Sequence, residues 1–277
     1  MTSTARIFTS LDIQACLHDR ERVDLFSRAI AEVVRPGDVV VDAGSGTGLL
    51  GMLAVRAGAR RAYCIEINEE YLDVIAGHAL LNGMSDQIVV VAGDAAAIDL
   101  PESVDVLISE VISAGFFYEP QLQILANLQR FLKPNSTVIP TRMVNGIELV
   151  AAQEKLYGLN FGFGTRYHAL PGDRTLSTQA LYSDVDFRDN ITTSITAGGS
   201  LTGTGDGIAN AVRIPYQLYL TPSLLRKEPT EFLLNPQVVF LAEPIEVKAG
   251  CCYEFHLRYE AGASPMTLEV DLALTVS

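Results

Sequence analysis

The sequence predicts a doubly wound α/β unit with a mostly parallel sheet, followed by an antiparallel β-barrel or sandwich. Three observations predict it. Short, wholly apolar runs alternate with helix-length segments up to about residue 140, the pattern of parallel strands covered on both faces. A glycine-rich turn at residues 44–48 separates the first such run from a helix. After Pro140 the pattern changes to period-two segments divided by Gly, Pro, Asn and Ser clusters, as in antiparallel sheets.

Leu17, Val23, Phe26, Ile30 and Val33 return at helical spacing and predict a helix over residues 12–34. A turn at 35–38 leads into the strand Val39-Val40-Val41. After the glycine turn a helix runs over 49–57 and ends near Gly58. A second strand over 62–65 is closed by Glu66. A helix over 69–82, strands over 88–92 and 104–109, a helix over 122–132 and a strand over 137–139 complete the unit. The second half reads as strands over 146–151, 178–187, 210–220, 237–247, 252–259 and 267–275. Residues 198–207, rich in Gly, Thr and Ser, read as a loop. The expected boundary lies at 139–142. It gives a helical segment 1–35, an α/β domain 36–140 and a β-barrel-like domain 141–277.

The 277 residues are 48% hydrophobic and 19% charged, which suits a packed globular chain. The net charge of -13 disfavours nucleic acid and anionic membranes as partners and attracts cations. An acidic balance also serves solubility alone. Cys16, Cys64, Cys251 and Cys252 show no CxxC spacing, and His18, His78, His168 and His256 are scattered. Neither a disulfide framework nor a metal site is expected. No run of about 18 apolar residues would span a membrane. Residues 1–20 lack the apolar core of a signal peptide, so the expected location is the cytoplasm.

Asp42-Ala-Gly44-Ser-Gly46-Thr-Gly48 carries the strongest local signal. Glycines let the chain turn sharply and let a ligand approach the backbone, and the following helix offers free N–H groups. The dinucleotide fingerprint needs a small third residue where Leu49 stands. The spacing therefore argues against a nicotinamide cofactor and towards S-adenosylmethionine, which has no pyrophosphate to cradle. Glu66, at the end of the second strand, is placed to accept hydrogen bonds from ribose hydroxyls. Asp94, after the third, is within reach of an adenine amino group. Either acid alone could be a solvated loop residue.

The fourth strand runs into Ser109-Glu110-Val-Ile-Ser-Ala-Gly115-Phe-Phe-Tyr118-Glu119. Loops at the carboxyl ends of parallel strands line the ligand crevice, so this loop faces the cofactor's reactive methyl. Two carboxylates in one pocket favour a cation between them, and a planar guanidinium pairs bidentately with carboxylates. Glu110 and Glu119 are thus the candidate catalytic pair. The alternative makes Glu110 a strand-end acid and Glu119 a cap for a helix starting at Pro120. Phe116, Phe117 and Tyr118 are either core or walls of the acceptor pocket.

These residues resemble the protein arginine methyltransferase family. The segment from Asp42 to Leu50 is similar to its first motif, which implies a cofactor role for Asp42, Gly44 and Gly46. Glu110 and Glu119 match its double-glutamate loop at the same spacing. Cys16-Leu17-His18-Asp19-x-x-Arg22 resembles its N-terminal helix, which implies that residues 1–35 cover the cofactor and that Arg22 binds its carboxylate. Asp19 and Arg22 could otherwise be an exposed helical pair. The adenine-side acid of the family falls near Ala96, leaving Asp94 to serve. Of the family's aromatics near the start, Phe8 survives as a pocket residue. The family's Thr-His-Trp loop falls near Leu233-Leu234-Asn235, in a chain without tryptophan. Asn235 there could replace a lost polar contact. The stretch between Tyr157 and Ser177 is short for a dimerisation arm. These departures suggest a remodelled acceptor pocket.

The resemblance implies methyl transfer to a guanidinium nitrogen of free, peptide or protein-bound arginine, with a homodimer left open. The alternatives are a methyltransferase for another small-molecule amine or hydroxyl, and a non-catalytic cofactor-binding paralogue.

Overall fold

The computed structural model describes residues 9–162 and 164–275; Phe8 lies outside them. Strands β1 (Val39–Ala43), β2 (Arg61–Glu66), β3 (Ile88–Ala92), β4 (Val104–Ser109) and β5 (Leu132–Ile139) form one sheet. All four pairings are parallel, in the order β3-β2-β1-β4-β5. The order reverses between β1 and β4, and a crevice at the carboxyl ends of strands forms at such a switch point. All five residues of β1 are buried, which accounts for an apolar run with no alternation.

Helices α1 (Ser10–His18), α2 (Arg20–Val33), α3 (Leu49–Ala57), α4 (Leu72–Leu81) and α5 (Gln121–Leu128) flank this sheet. The helix expected over 12–34 is two helices, because Asp19 leaves the helical region at ψ 86°. Its carboxylate accepts the Arg22 N–H (3.1 Å) as the cap of α2. It also accepts the Phe232 N–H (2.9 Å) and the Thr230 hydroxyl. A capping box of Thr9 and Asp12 starts α1. The helix expected over 69–82 begins as a 3-10 turn, Glu69–Tyr71, where the Asn68 side chain accepts the Glu70 N–H (3.1 Å).

Strand β6 (Arg142–Ala151) follows β5 through a cis Ile139–Pro140 bond. It is the hub of an eight-stranded antiparallel sheet. Ala180–Asp186 pairs with it on one side, and Gly207–Ile214 and Tyr216–Thr221 on the other. Gln237–Val247 continues the sheet from Gly207–Ile214, and Thr165–Arg166 from Gln237–Val247. In a further sheet Cys252–Glu260 lies between Ser194–Thr202 and Glu269–Thr275. One apolar core joins the two halves, with Phe26 and Leu122 in the same cluster as Phe187, Leu218 and Phe255.

The strand expected over 210–220 is interrupted at Pro215, which has no N–H to donate, and both flanking pieces pair with β6. The loop expected over 198–207 is strand as far as Thr202. Its glycines provide space there: a Cβ on Gly199 would lie 2.9 Å from the Phe255 ring. Among the described residues no helix is long and apolar enough to cross a membrane.

Candidate active site

A cavity of 720 Å³ lies at the carboxyl ends of the parallel strands and is lined by residues of both halves. The glycine turn forms one wall. Gly44 has φ 77°, and a Cβ there would lie 2.7 Å from Val111 Cγ2, so no side chain fits where the double-glutamate loop crosses it. The Gly44 and Ser45 N–H groups both donate to the Ile65 carbonyl (3.0 Å), which pins the turn to the end of β2. Glu66, also at that end, lines the cavity while nearly buried. Its Oε2 accepts the Gly46 N–H (2.7 Å) and its Oε1 the Asn68 N–H (2.8 Å). Each oxygen keeps a lone pair for further donors. Asp94 lines the same region and accepts the Ala96 N–H (2.8 Å).

Asp42 sits beneath the turn and is not part of the cavity wall. Its Oδ2 accepts the Gly51 N–H (2.9 Å), and its carbonyl accepts the Ser45 hydroxyl (2.7 Å). Burial pushes its carboxyl up to about 7, although the Gly51 hydrogen bond pulls the other way. A carboxyl raised above its unfolded value of about 3.9 costs stability when ionised. That cost is absent below the unfolded value and complete above the folded one. Denaturant melts should therefore show Asp42→Asn gaining on the wild type between about pH 4 and about pH 7. An unchanged difference would mean that the carboxyl is ionised without penalty.

Glu110 and Glu119 both line the cavity, and the loop between them is folded back by buried polar anchors. Gln121, the first residue of α5 and fully buried, ties its two ends together. The Gln121 Oε1 accepts the Ser109 hydroxyl (3.0 Å) and the Val111 N–H (3.3 Å), and its Nε2 donates to the Ser109 carbonyl (3.2 Å). The Asn145 side chain on β6 accepts the Gly115 N–H (3.0 Å). Phe116 (φ 59°) and Tyr118 (φ 62°) hold left-handed backbone, which costs about 1–3 kcal/mol per residue and clusters at functional sites. No side-chain cap forms at the start of α5, so the alternative of Glu119 as a helix cap is not realised.

Arg22 lies behind this wall. Its Nη1 donates to the Cys16 carbonyl (3.0 Å) and its Nη2 pairs with Glu110 Oε2. Its buried Nε has no hydrogen-bond partner. Burial lowers the basicity of this guanidinium, opposed by the nearby negative charges of Asp19, Glu119 and Asp42. The structure thus joins two residues that the sequence assigned to different ligands.

Phe116 and Phe117 are core: both are fully buried, and Phe117 packs on Tyr259 with ring centroids 4.6 Å apart. Tyr118 is not part of the cavity wall; its ring stacks on Tyr167 (5.9 Å), which is. Asn235 lines the cavity, but its amide nitrogen is spent on the Glu231 carbonyl (2.9 Å). Sequence reasoning missed Gln121, Asn145, Tyr167 and His168. Asn145 had a signal, as a polar residue inside the apolar stretch Met143-Val144-Asn145-Gly146-Ile147.

These residues fit S-adenosylmethionine. Glu66 and Asp94 offer carboxylate acceptors within the cavity, and behind its wall the Arg22 Nε is a buried donor without an acceptor. Residues 40–135 match a family of methyltransferase domains. An uncharacterized protein of Methanocaldococcus jannaschii is 31% identical over 62% of this chain and 63% of its own length. The chain therefore spans less than two thirds of that relative. An arginine N(omega)-methyltransferase of Streptomyces achromogenes subsp. streptozoticus is 28% identical over 93% of this chain and 77% of its own. Among solved structures, the Trypanosoma brucei PRMT1 enzyme–prozyme complex with AdoHcy matches with a TM-score of 0.78 at 17% identity, covering 95% of this chain and 92% of that one. The chain thus carries a methyltransferase domain and shares the fold of the solved PRMT1 structure.

Proposed function

We propose that the protein transfers a methyl group from S-adenosylmethionine to a guanidinium nitrogen of arginine. The observation that carries this is one cavity holding Gly44, Gly46, Glu66 and Asp94 together with Glu110 and Glu119. In this reading residues 36–140 hold the cofactor, 141–277 shape the acceptor end, and 1–35 lie over the cofactor. Bound cofactor supplies an electrophilic methyl on a sulfonium. Glu66 accepts hydrogen bonds from the ribose hydroxyls and Asp94 holds the adenine side, while Arg22, paired with Glu110 behind the wall, supplies positive charge for the carboxylate. Glu110 and Glu119 accept the acceptor's N–H groups and fix its plane. Their negative charge draws the guanidinium's positive charge to the clamped nitrogens, leaving the remaining nitrogen better able to attack. The released proton leaves to a carboxylate oxygen or to water. The substrate is a small molecule or peptide, and the setting is the cytoplasm.

Mass spectrometry of arginine and arginine peptides incubated with cofactor tests the reaction; no methylated guanidinium in any of them overturns it. Calorimetry tests the cofactor end separately. Glu66→Ala should weaken adenosylhomocysteine binding by about 1–2 kcal/mol. Undiminished affinity would remove Glu66 from the cofactor site.

A further inference from the structure

We infer that residues 152–162 and 164–175 fold back as a wall over the acceptor end of the cavity, and that Tyr167 in this wall restricts the acceptor to a small guanidino compound of the size of free arginine. The inference rests on the function proposed above and specifies its substrate.

The wall is fastened at both ends. Thr165 and Arg166 pair with Val239 and Val238 as a short strand, and Gln237 Nε2 donates to the Arg166 carbonyl (3.0 Å). The Arg166 guanidinium donates to the carbonyls of His168 (3.0 Å) and Gln153 (3.1 Å) and pairs with Asp173. The Asp173 side chain is only 1% exposed. It also accepts the N–H groups of Gln153 and Leu170, both at 2.8 Å. One buried carboxylate thus ties residues 153, 166 and 170 together, and a buried ion pair whose lone pairs are satisfied resists opening. Tyr167 and His168 sit between these anchors, and both line the cavity.

Tyr167 stands at the acceptor end. Its ring stacks on that of Tyr118, the residue before Glu119, at 5.9 Å and an interplanar angle of 21°. An arginine inside a polypeptide has to bring flanking backbone past this ring, whereas a free amino acid does not. The 720 Å³ cavity has to hold cofactor and acceptor together, and it falls in the range of about 300–1,000 Å³ usual for small-molecule sites. Glu231 lines the same cavity from the barrel side. It offers a carboxylate for the α-ammonium that free arginine has and a residue within a peptide lacks.

The test compares kcat/KM for free arginine and for a short arginine peptide. The wild type should favour free arginine by about tenfold or more, and Tyr167→Ala should shift the ratio towards the peptide by about tenfold. Tyr167→Phe keeps the ring and should keep the wild-type ratio. Tyr167→Trp enlarges the wall and should shift the ratio further towards free arginine, which keeps the test open if the alanine variant does not fold. A wild type that uses the peptide at least as well as arginine overturns the inference, as does a ratio that the folded variants leave unmoved. Those results spare the proposed function. Cofactor binding without methylation of either compound overturns the guanidinium reading, and this inference with it.

Discussion

Replacing Glu110 by Gln is expected to lower turnover by about 100- to 1,000-fold, the usual loss when one group stabilising transition-state charge is removed. Glutamine keeps the shape and one acceptor oxygen but lacks the negative charge, so it no longer draws the acceptor's positive charge to the clamped nitrogens. The variant also disturbs a second partner. Glu110 Oε2 pairs with the Arg22 guanidinium, and both side chains are 12% exposed. Adenosylhomocysteine affinity should therefore fall as well, through Arg22, but by much less than turnover. Turnover within a few-fold of the wild type would remove Glu110 from the chemistry. A loss confined to cofactor affinity would make it only a support for Arg22.

Asp19→Ala is expected to cost about 3 kcal/mol of stability in denaturant melts, combining about 1 kcal/mol for a lost helix cap with a buried amide left unpaired. Asp19 is 4% exposed and serves three donors: the Arg22 N–H, the Phe232 N–H and the Thr230 hydroxyl. It therefore ends one helix, starts the next and fastens both to the barrel. Burial alone would raise its carboxyl, but the bonds from Thr230, Phe232 and Arg22 outweigh it and hold the group below its ordinary value. Its contribution is then complete above the ordinary carboxylate range and is lost as pH falls through the lowered folded value. The alanine variant should lose that part of the wild type's acid sensitivity. A loss well below 1 kcal/mol would mean that neither bond to the barrel persists in solution.

The parallel half was legible because its strands need no tertiary information. Val39-Val40-Val41 and Ile88–Ala92 are apolar runs bounded by turn residues. The break at Asp19 was hidden, since Leu17, Val23 and Phe26 keep helical spacing straight across it. What breaks the helix is a partner more than 200 residues away. The strand through Gly198 and Gly199 was hidden by composition, because glycine chosen for close packing cannot be told in sequence from glycine chosen for a turn. Within the site, the glycine turn and both glutamates were readable as local motifs. Gln121 and Tyr167 were not, because their roles exist only where separate segments meet, and Asn145 was marked only as a polar residue in an apolar stretch.

The two ends of the cavity have different owners. Gly44, Gly46, Glu66 and Asp94 belong to the strand ends and loops of the parallel sheet alone, whereas the far end mixes Glu110 and Glu119 with Tyr167, Glu231 and Asn235 from the antiparallel half. Under the proposed function, mutations in the barrel can therefore redraw the choice of acceptor while leaving the grip on the cofactor intact. The matched methyltransferase domain covers residues 40–135, so it takes in Glu66, Asp94, Glu110 and Glu119 but none of the barrel residues at the far end.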